Sequence, residues 1–221
     1  MKIDIISLFP EMFNGPFSQS IIKRAQDKKI VEIKIHDLRI WTKDKRRTAD
    51  DRPFGGGPGM IMMVEPIDKA INSLKTKTTK TILLSPRGKV FNQTLAKKLS
   101  KAEHLILICG HYEGVDERVK KLIDEEISIG DFILTGGELP AAVVTDCLVR
   151  LLPKVLKKEG VTDNESFSQN LLEYPHYTRP ANYKNWKVPK ILLNGNHKEI
   201  NKWRESEALK ITKKIRPDLL K

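Results

Sequence analysis

Three loops hold the residues best suited to grip a small molecule. The longest is Ser128-Ile129-Gly130-Asp131-Phe132-Ile133-Leu134-Thr135-Gly136-Gly137-Glu138-Leu139-Pro140. Its glycines at 130, 136 and 137 permit positive φ and a close approach of backbone to a ligand. Backbone N–H and C=O groups there can bind without help from side chains. The other two loops are Ser85-Pro86-Arg87-Gly88 and Gly110-His111-Tyr112-Glu113-Gly114. A fourth stretch, Leu38 to Met60, differs: it carries Lys43, Lys45, Arg46 and Arg47 and closes on Gly55-Gly56-Gly57-Pro58-Gly59. No Lys-Ser/Thr follows those glycines, so it is not a P-loop, and their spacing is not a dinucleotide fingerprint. A loop this long and basic suits contact with phosphate or RNA.

The remaining chemistry is narrow. Cys109 and Cys147 are the only cysteines, both in apolar stretches and neither beside a Cys or His at metal-ligand spacing. They read as buried thiols in a reducing cytoplasm rather than as a metal site or disulfide. The formal net charge of +12 points to a polyanionic partner, most simply nucleic acid. No apolar run approaches the ~20 residues that cross a bilayer. The first residues carry Asp4 inside their apolar run and no cleavage signature, so no signal peptide is expected.

The elements that must position these loops follow an α/β order. Lys2 to Leu8 reads as a strand, Ser18 to Lys29 as a helix, and Val31 to Ile35 as a half-buried strand. Glu65 to Leu74 reads as a helix and Thr81 to Leu84 as a short strand stopped by Ser85-Pro86. Asn92 can cap a helix to Ser100. Leu105 to Cys109 is unbroken apolar, as a strand covered on both faces must be. A helix is expected from after Gly114 to about Asp124, and another from Ala141 to about Leu156 with Pro140 in its first turn. Strand, loop and helix recur, which implies a mostly parallel sheet with ligands at the carboxyl ends of its strands. Residues 1–156 form this domain, 157–170 a polar linker and 171–221 a small, mainly helical unit. That unit holds Trp186 and Trp203 with Tyr174, Tyr177 and Tyr183, and Asn196-His197-Lys198-Glu199 resembles a capping box. Its helix is expected to keep Lys198, Lys202 and Arg204 on polar faces and Ile200 and Trp203 inward.

Seven stretches, in order along the chain, carry a resemblance. They are Ile6 to Pro10, Gly55 to Met60, Leu84 to Gly88, Gly110 to Arg118, Ser128 to Pro140, Tyr174 to Pro180 and Gly195 to His197. Together they resemble the bacterial tRNA (guanine-N1-)-methyltransferase family, TrmD, of the SPOUT class. The resemblance implies a trefoil-knotted, parallel-sheet α/β domain, a homodimer and a tRNA-binding C-terminal domain. It also implies S-adenosylmethionine as methyl donor and N1 of the guanine at tRNA position 37 as acceptor. Carried over by motif, the cofactor contacts are Leu84, Ser85, Pro86, Gly110, Tyr112, Glu113, Ile129, Gly130, Asp131, Phe132, Ile133, Leu134, Gly136, Gly137 and Pro140. These fall in the three loops chosen above. Glu113 also matches a residue linked to a magnesium requirement.

For catalysis the resemblance points to Arg150 and to the residue directly before Ser166-Phe167, which is Glu165. The family base there is aspartate, so Glu165 reaches one methylene further, with Asp163 as a nearby substitute. Arg87 stands where the family commonly has glutamine and adds a charge beside the cofactor loops. Two other readings stay open at this stage: a related knotted methyltransferase with another RNA target, and an RNA-binding module that keeps the fold without catalysis.

Overall fold

The computed structural model describes residues 1–157, 160–163 and 165–220, and divides into two units, Met1–Lys157 and Lys158–Lys221. The first runs β1 (Lys2–Ser7), α1 (Ser20–Asp27), β2 (Glu32–Asp37), β3 (Asp50–Asp51), β4 (Ile61–Met62), α2 (Val64–Leu74), β5 (Thr79–Val90), α3 (Gln93–Leu99), β6 (His104–Cys109), β7 (Glu125–Ser128) and α4 (Glu138–Val149). Among the described residues, five strands form one sheet in the order β2-β1-β6-β5-β7, every neighbouring pair parallel.

Strand β6 shows why its apolar run is unbroken. It lies between β1 and β5, and every residue is buried. Leu105, Leu107 and Cys109 join Ile3, Ile5, Ile82 and residues of α1, α3 and α4 in one cluster. Ile106 and Ile108 join Ile6, Leu83 and the α2 residues Ile67, Ala70 and Ile71 in the other. Alternate side chains thus feed opposite faces, and both faces are covered. Each such Leu or Ile contributes about 1.5–3 kcal/mol by burial. Asn92 caps α3 as expected, its Oδ1 accepting from the Leu95 N–H at 2.9 Å.

One charged cluster lies within the sheet. Asp4 of β1 is fully buried, with Oδ1 2.7 Å from His36 Nε2 and Oδ2 2.7 Å from both His104 Nε2 and Lys2 Nζ. Burial pushes the carboxyl pKa up, but the bonds from His36, Lys2 and His104 outweigh it. The carboxyl is held far below its usual range.

Four expectations need correction. Strand β5 does not stop at Leu84 but continues to Val90. Residues 85–88 bulge outward, so that Leu84 and Lys89 both pair with Ile127. The expected helix after Gly114 is a 3-10 helix at Glu117–Lys121, started by Asp116, whose side chain accepts from the Arg118 N–H. Helix α4 ends at Val149 rather than near Leu156; Pro153 has no N–H to donate to the carbonyl four residues back, that of Val149. The stretch 38–60 is not wholly irregular: Leu38–Trp41 is a 3-10 helix, and β3 pairs antiparallel with β4.

The second unit holds a hairpin of β8 (Asn182–Tyr183) and β9 (Trp186–Lys187), followed by α5 (His197–Ile215). Asn196 caps α5, its Oδ1 accepting from the Glu199 N–H at 3.4 Å. Ile200, Ala208 and Thr212 are the buried residues of α5. Arg204 is not on a polar face: it is half-buried, with its guanidinium 5.0 Å from the centre of the Tyr174 ring. Of the polar segment 157–170, Lys158, Glu159 and Asn164 lie outside the described residues. No helix among the described residues is long and apolar enough to cross a membrane.

Candidate active site

The loops after β6 and β7 are bound to each other. The Gly137 N–H donates to the Gly110 carbonyl at 2.7 Å, and His111 bridges to Gly136 in antiparallel fashion. A Cβ on Gly137 would stand 2.7 Å from Cys109 Cα and 2.8 Å from Gly110 N, both backbone atoms. Only glycine allows that approach. The loop 110–114 is bound in turn to the end of the glycine-rich stretch. Glu113 N–H donates to Met60 O at 3.1 Å, and Met62 N–H donates to Gly114 O at 3.0 Å. Gly59, at φ +78°, leaves room for the Glu113 side chain, whose Cγ would lie 2.5 Å from an added Cβ.

These loops enclose a cleft of about 610 Å³ at the bulge of β5 and the carboxyl ends of β6 and β7. Its volume lies in the range of small-ligand sites, and its position is where parallel sheets bind ligands. Leu84, Ser85, Pro86, Gly110, Tyr112, Glu113, Ile129, Gly130, Phe132, Ile133, Leu134, Gly136, Gly137 and Pro140 all line it. Asp131 does not; it is exposed on the same loop. The lining also includes His111, Thr135 and Glu117, which sequence reasoning did not assign. His111 and Thr135 lie inside loops already chosen, so their neighbours were signal enough. Glu117 falls in the Gly110 to Arg118 stretch, and the 3-10 helix it opens places it at the rim of the cleft, still exposed.

Behind the cleft lining lies a buried hydrogen bond. Glu138, in the first turn of α4, is buried, and its Oε1 accepts from Ser7 Oγ at 2.7 Å. Its Oε2 faces His111 Nδ1 at 3.6 Å, and neither atom has a hydrogen-bond partner among the described residues. The Phe9 ring packs on the other side of His111, with centroids 4.6 Å apart. Cys109 lies beneath: burial, with the Glu138 charge nearby, pushes its thiol pKa well up. It is no thiolate nucleophile at neutral pH.

Electrostatics at the rim are balanced. Arg87 lines the cleft and its Nη2 is 3.1 Å from Glu117 Oε2, so the charge noted in the sequence is paired. Arg150 is the half-buried C-cap of α4 and is not among the lining residues. Glu165 is half-buried in the second unit, where its carbonyl accepts from the Ser168 N–H at 3.0 Å. Asp163 closes a 3-10 turn, Val161–Asp163, and only its backbone is described.

The model of the family described as tRNA (Guanine-1)-methyltransferase TrmD matches residues 1–221. A tRNA (guanine-N(1)-)-methyltransferase of Dictyoglomus turgidum is 59% identical over 220 residues, covering 100% of this chain and 90% of its own length. The protein of that name from Mycoplasmopsis synoviae is 54% identical over 221 residues, covering 100% of this chain and 97% of its own. One from Endomicrobium trichonymphae is 50% identical over 232 residues, covering both chains fully. The match runs end to end and includes the cleft with the three loops that build it. The chain belongs to the tRNA (guanine-1)-methyltransferase family TrmD, of the SPOUT class.

Proposed function

We propose that this protein methylates N1 of the guanosine at tRNA position 37, with S-adenosylmethionine as the methyl donor. The observation that carries the reading is the glycine-rich cleft at the bulge of β5 and the carboxyl ends of β6 and β7, in a chain that matches the family over its whole length.

The cleft fits the donor by its chemistry. Gly110, Gly136 and Gly137 offer backbone groups with little side-chain bulk. Leu84, Ile129, Phe132 and Leu134 supply apolar walls. When bound, S-adenosylmethionine supplies an electrophilic methyl group on a sulfonium. The chain must then do three things. It must hold acceptor and donor in line, which the close packing of Gly137 and the buried Ser7–Glu138 bond behind the lining favour. It must remove the proton from guanine N1, and Glu165 is the carboxylate assigned to that. It must stabilise negative charge developing toward O6, the role assigned to Arg150. The target guanine must leave its stack to reach the pocket.

Magnesium, if used, is assigned to Glu113. Among the described residues no group of three or more His, Cys, Asp or Glu is arranged to hold a metal. The ion would therefore take its other ligands from water and substrate, as magnesium commonly does.

The reading extends to assembly and location. A homodimer is supported by exposed apolar side chains at Leu139 and Val143 of α4 and at Phe132 and Ile133 of the adjoining loop. The knotted threading is what the family implies. The domains are assigned as 1–156 for the cofactor, 157–170 as linker and 171–221 for tRNA. The enzyme works in the cytoplasm, where its tRNA is.

The test is methyl transfer from labelled S-adenosylmethionine to two tRNA transcripts that differ only in guanosine or adenosine at position 37. Label in the guanosine transcript alone is the expected result. Label in both would move the target elsewhere. Label in neither, with the cofactor bound and magnesium present, would overturn the reading.

A further inference from the structure

The β8–β9 hairpin presents two aromatic rings with no core to explain them. Tyr183 and Trp186 pair directly across the hairpin, which puts both side chains on one face. Their centroids are 6.1 Å apart, yet Tyr183 remains 53% and Trp186 73% exposed. The turn between them is Lys184-Asn185, both at positive φ, +50° and +67°. Two consecutive left-handed residues make the tight turn that matches strand twist. The rings are therefore held out on a short, stiff ribbon, where burial gains little and exposure of a tryptophan costs solubility.

The segment that carries the hairpin is cationic. From Tyr174 to Lys198 the chain holds no Asp or Glu, and it holds Arg179, Lys184, Lys187, Lys190 and Lys198. Arg179, Lys184, Lys187 and Lys190 are exposed. Lys184 Nζ lies over the Tyr183 ring, 5.5 Å from its centre, a cation within reach of a phosphate once a base takes that face. Exposed aromatic faces beside a row of cations match single-stranded nucleic acid: unpaired bases stack on the rings while phosphates meet the cations. A protein partner would more commonly meet mixed charge around its aromatic anchors, and this segment carries one sign only.

We infer that the Tyr183–Trp186 hairpin is a base-stacking platform that grips unpaired nucleotides of the tRNA, with Lys184 and Lys187 on the adjoining phosphates. The inference rests on the tRNA methyltransferase reading and adds to it a second anchoring point, carried by the second unit.

The experiment uses the full chain and a tRNA transcript, with Tyr183→Ala/Trp186→Ala, the conservative Tyr183→Phe/Trp186→Phe, and the parent. Two readouts are taken: the transcript's Kd by filter binding at several salt concentrations, and KM and kcat for methyl transfer. Folding of each variant is checked by circular dichroism and by affinity for S-adenosylmethionine. The alanine pair should weaken Kd and raise KM by about fivefold to a hundredfold. Its salt slope should stay near the parent's, because no cation is removed. The phenylalanine pair should keep most of the affinity, since a ring face is all that stacking needs. Parent-like Kd and KM in the alanine pair would overturn the platform while methyl transfer by the parent leaves the enzyme reading standing. The same result with a changed sedimentation mass would make the hairpin a contact between copies. A parent that binds tRNA but transfers no methyl would instead remove the enzyme reading and leave the platform to be judged on Kd alone. A parent that does not bind tRNA would remove both.

Discussion

Ser7 Oγ donates a 2.7 Å hydrogen bond to Glu138 Oε1, joining the end of β1 to the first turn of α4 across 131 residues of chain. Both side chains are buried. The helix N-terminus favours the carboxylate electrostatically, and Ser7 Oγ also accepts from the Phe9 N–H at 2.8 Å. Ser7→Ala is expected to destabilise the protein by about 1.5–3 kcal/mol, the range for bonds to buried charged groups. Urea unfolding followed by circular dichroism measures this. A change near zero would mean that the carboxylate is satisfied some other way.

Gly137 should tolerate no side chain. Its missing Cβ is the space occupied by Cys109 and Gly110 backbone, so Gly137→Ala must push apart the two loops that line the cleft. Affinity for S-adenosylmethionine, read by calorimetry, should fall at least about tenfold, or ~1.4 kcal/mol. Gly15→Ala is the control, because an added Cβ there meets nothing within 4 Å. Equal affinities in the two variants would contradict the packing argument.

Asp4 predicts an acid-sensitive fold. Its carboxyl is held below the ordinary value of 3.8 by His36, Lys2 and His104, against the opposing effect of burial. A depressed folded pKa means stability that is present in full above the unfolded value and lost as pH falls from there toward the folded one. Asp4→Asn should therefore cost on the order of 3 kcal/mol near neutral pH. Below about pH 4 the gap between variant and parent should narrow. Unfolding curves at several pH values decide it, and a constant gap would show that the carboxylate charge is not what matters.

Arg150 and Glu165 are assigned to chemistry rather than to cofactor binding. Each alanine variant should lower kcat by about a hundredfold or more, the scale of a missing general base or charge stabiliser. The Kd for S-adenosylmethionine should hold within about twofold, since neither residue lines the cleft. Normal turnover in both would end the assignment. Glu165→Asp restores the family's own residue and should keep activity if the longer side chain is merely seated differently.

The basic loop should contribute unequally to RNA affinity. Lys43 Nζ is 2.5 Å from Glu65 Oε1, whereas Arg46 and Arg47 are exposed. Arg46→Gln/Arg47→Gln should weaken tRNA binding and lower the slope of log K against log salt by about one for each phosphate no longer neutralised. Lys43→Gln should do less. Unchanged slopes in the double variant would exclude this loop from the RNA interface.

How much of this was readable in the residues differs from element to element. The unbroken apolar run at Leu105–Cys109 specified a central strand, because only a strand covered on both faces needs it. Asn92 and Asn196 marked helix starts correctly, because a cap is a local bond between a side chain and an amide three residues on. The glycines of the loops at 110–114 and 128–137 marked the cleft, since their freedom is a property of the residue itself. Local rules failed where a distant partner decided. Ser85-Pro86-Arg87-Gly88 reads as a strand terminator, yet β7 holds the chain on both sides of the bulge. Asp131 shares a loop with lining residues but stays outside the cleft.

By itself, then, the sequence determined the alternation of strands and helices, a net charge that suits a polyanionic partner and the loops that line the cleft. These rest on side-chain periodicity, net charge and backbone freedom, which act over a few residues or over the whole composition. Only the tertiary structure decided that Glu138 is a buried strut under His111 rather than a surface acid, that the Arg87 charge is taken up by Glu117, and that Tyr183 and Trp186 stand together on one exposed face. Each of those depends on which distant residue arrives within a few ångströms, and close packing settles that only once the whole chain is in place.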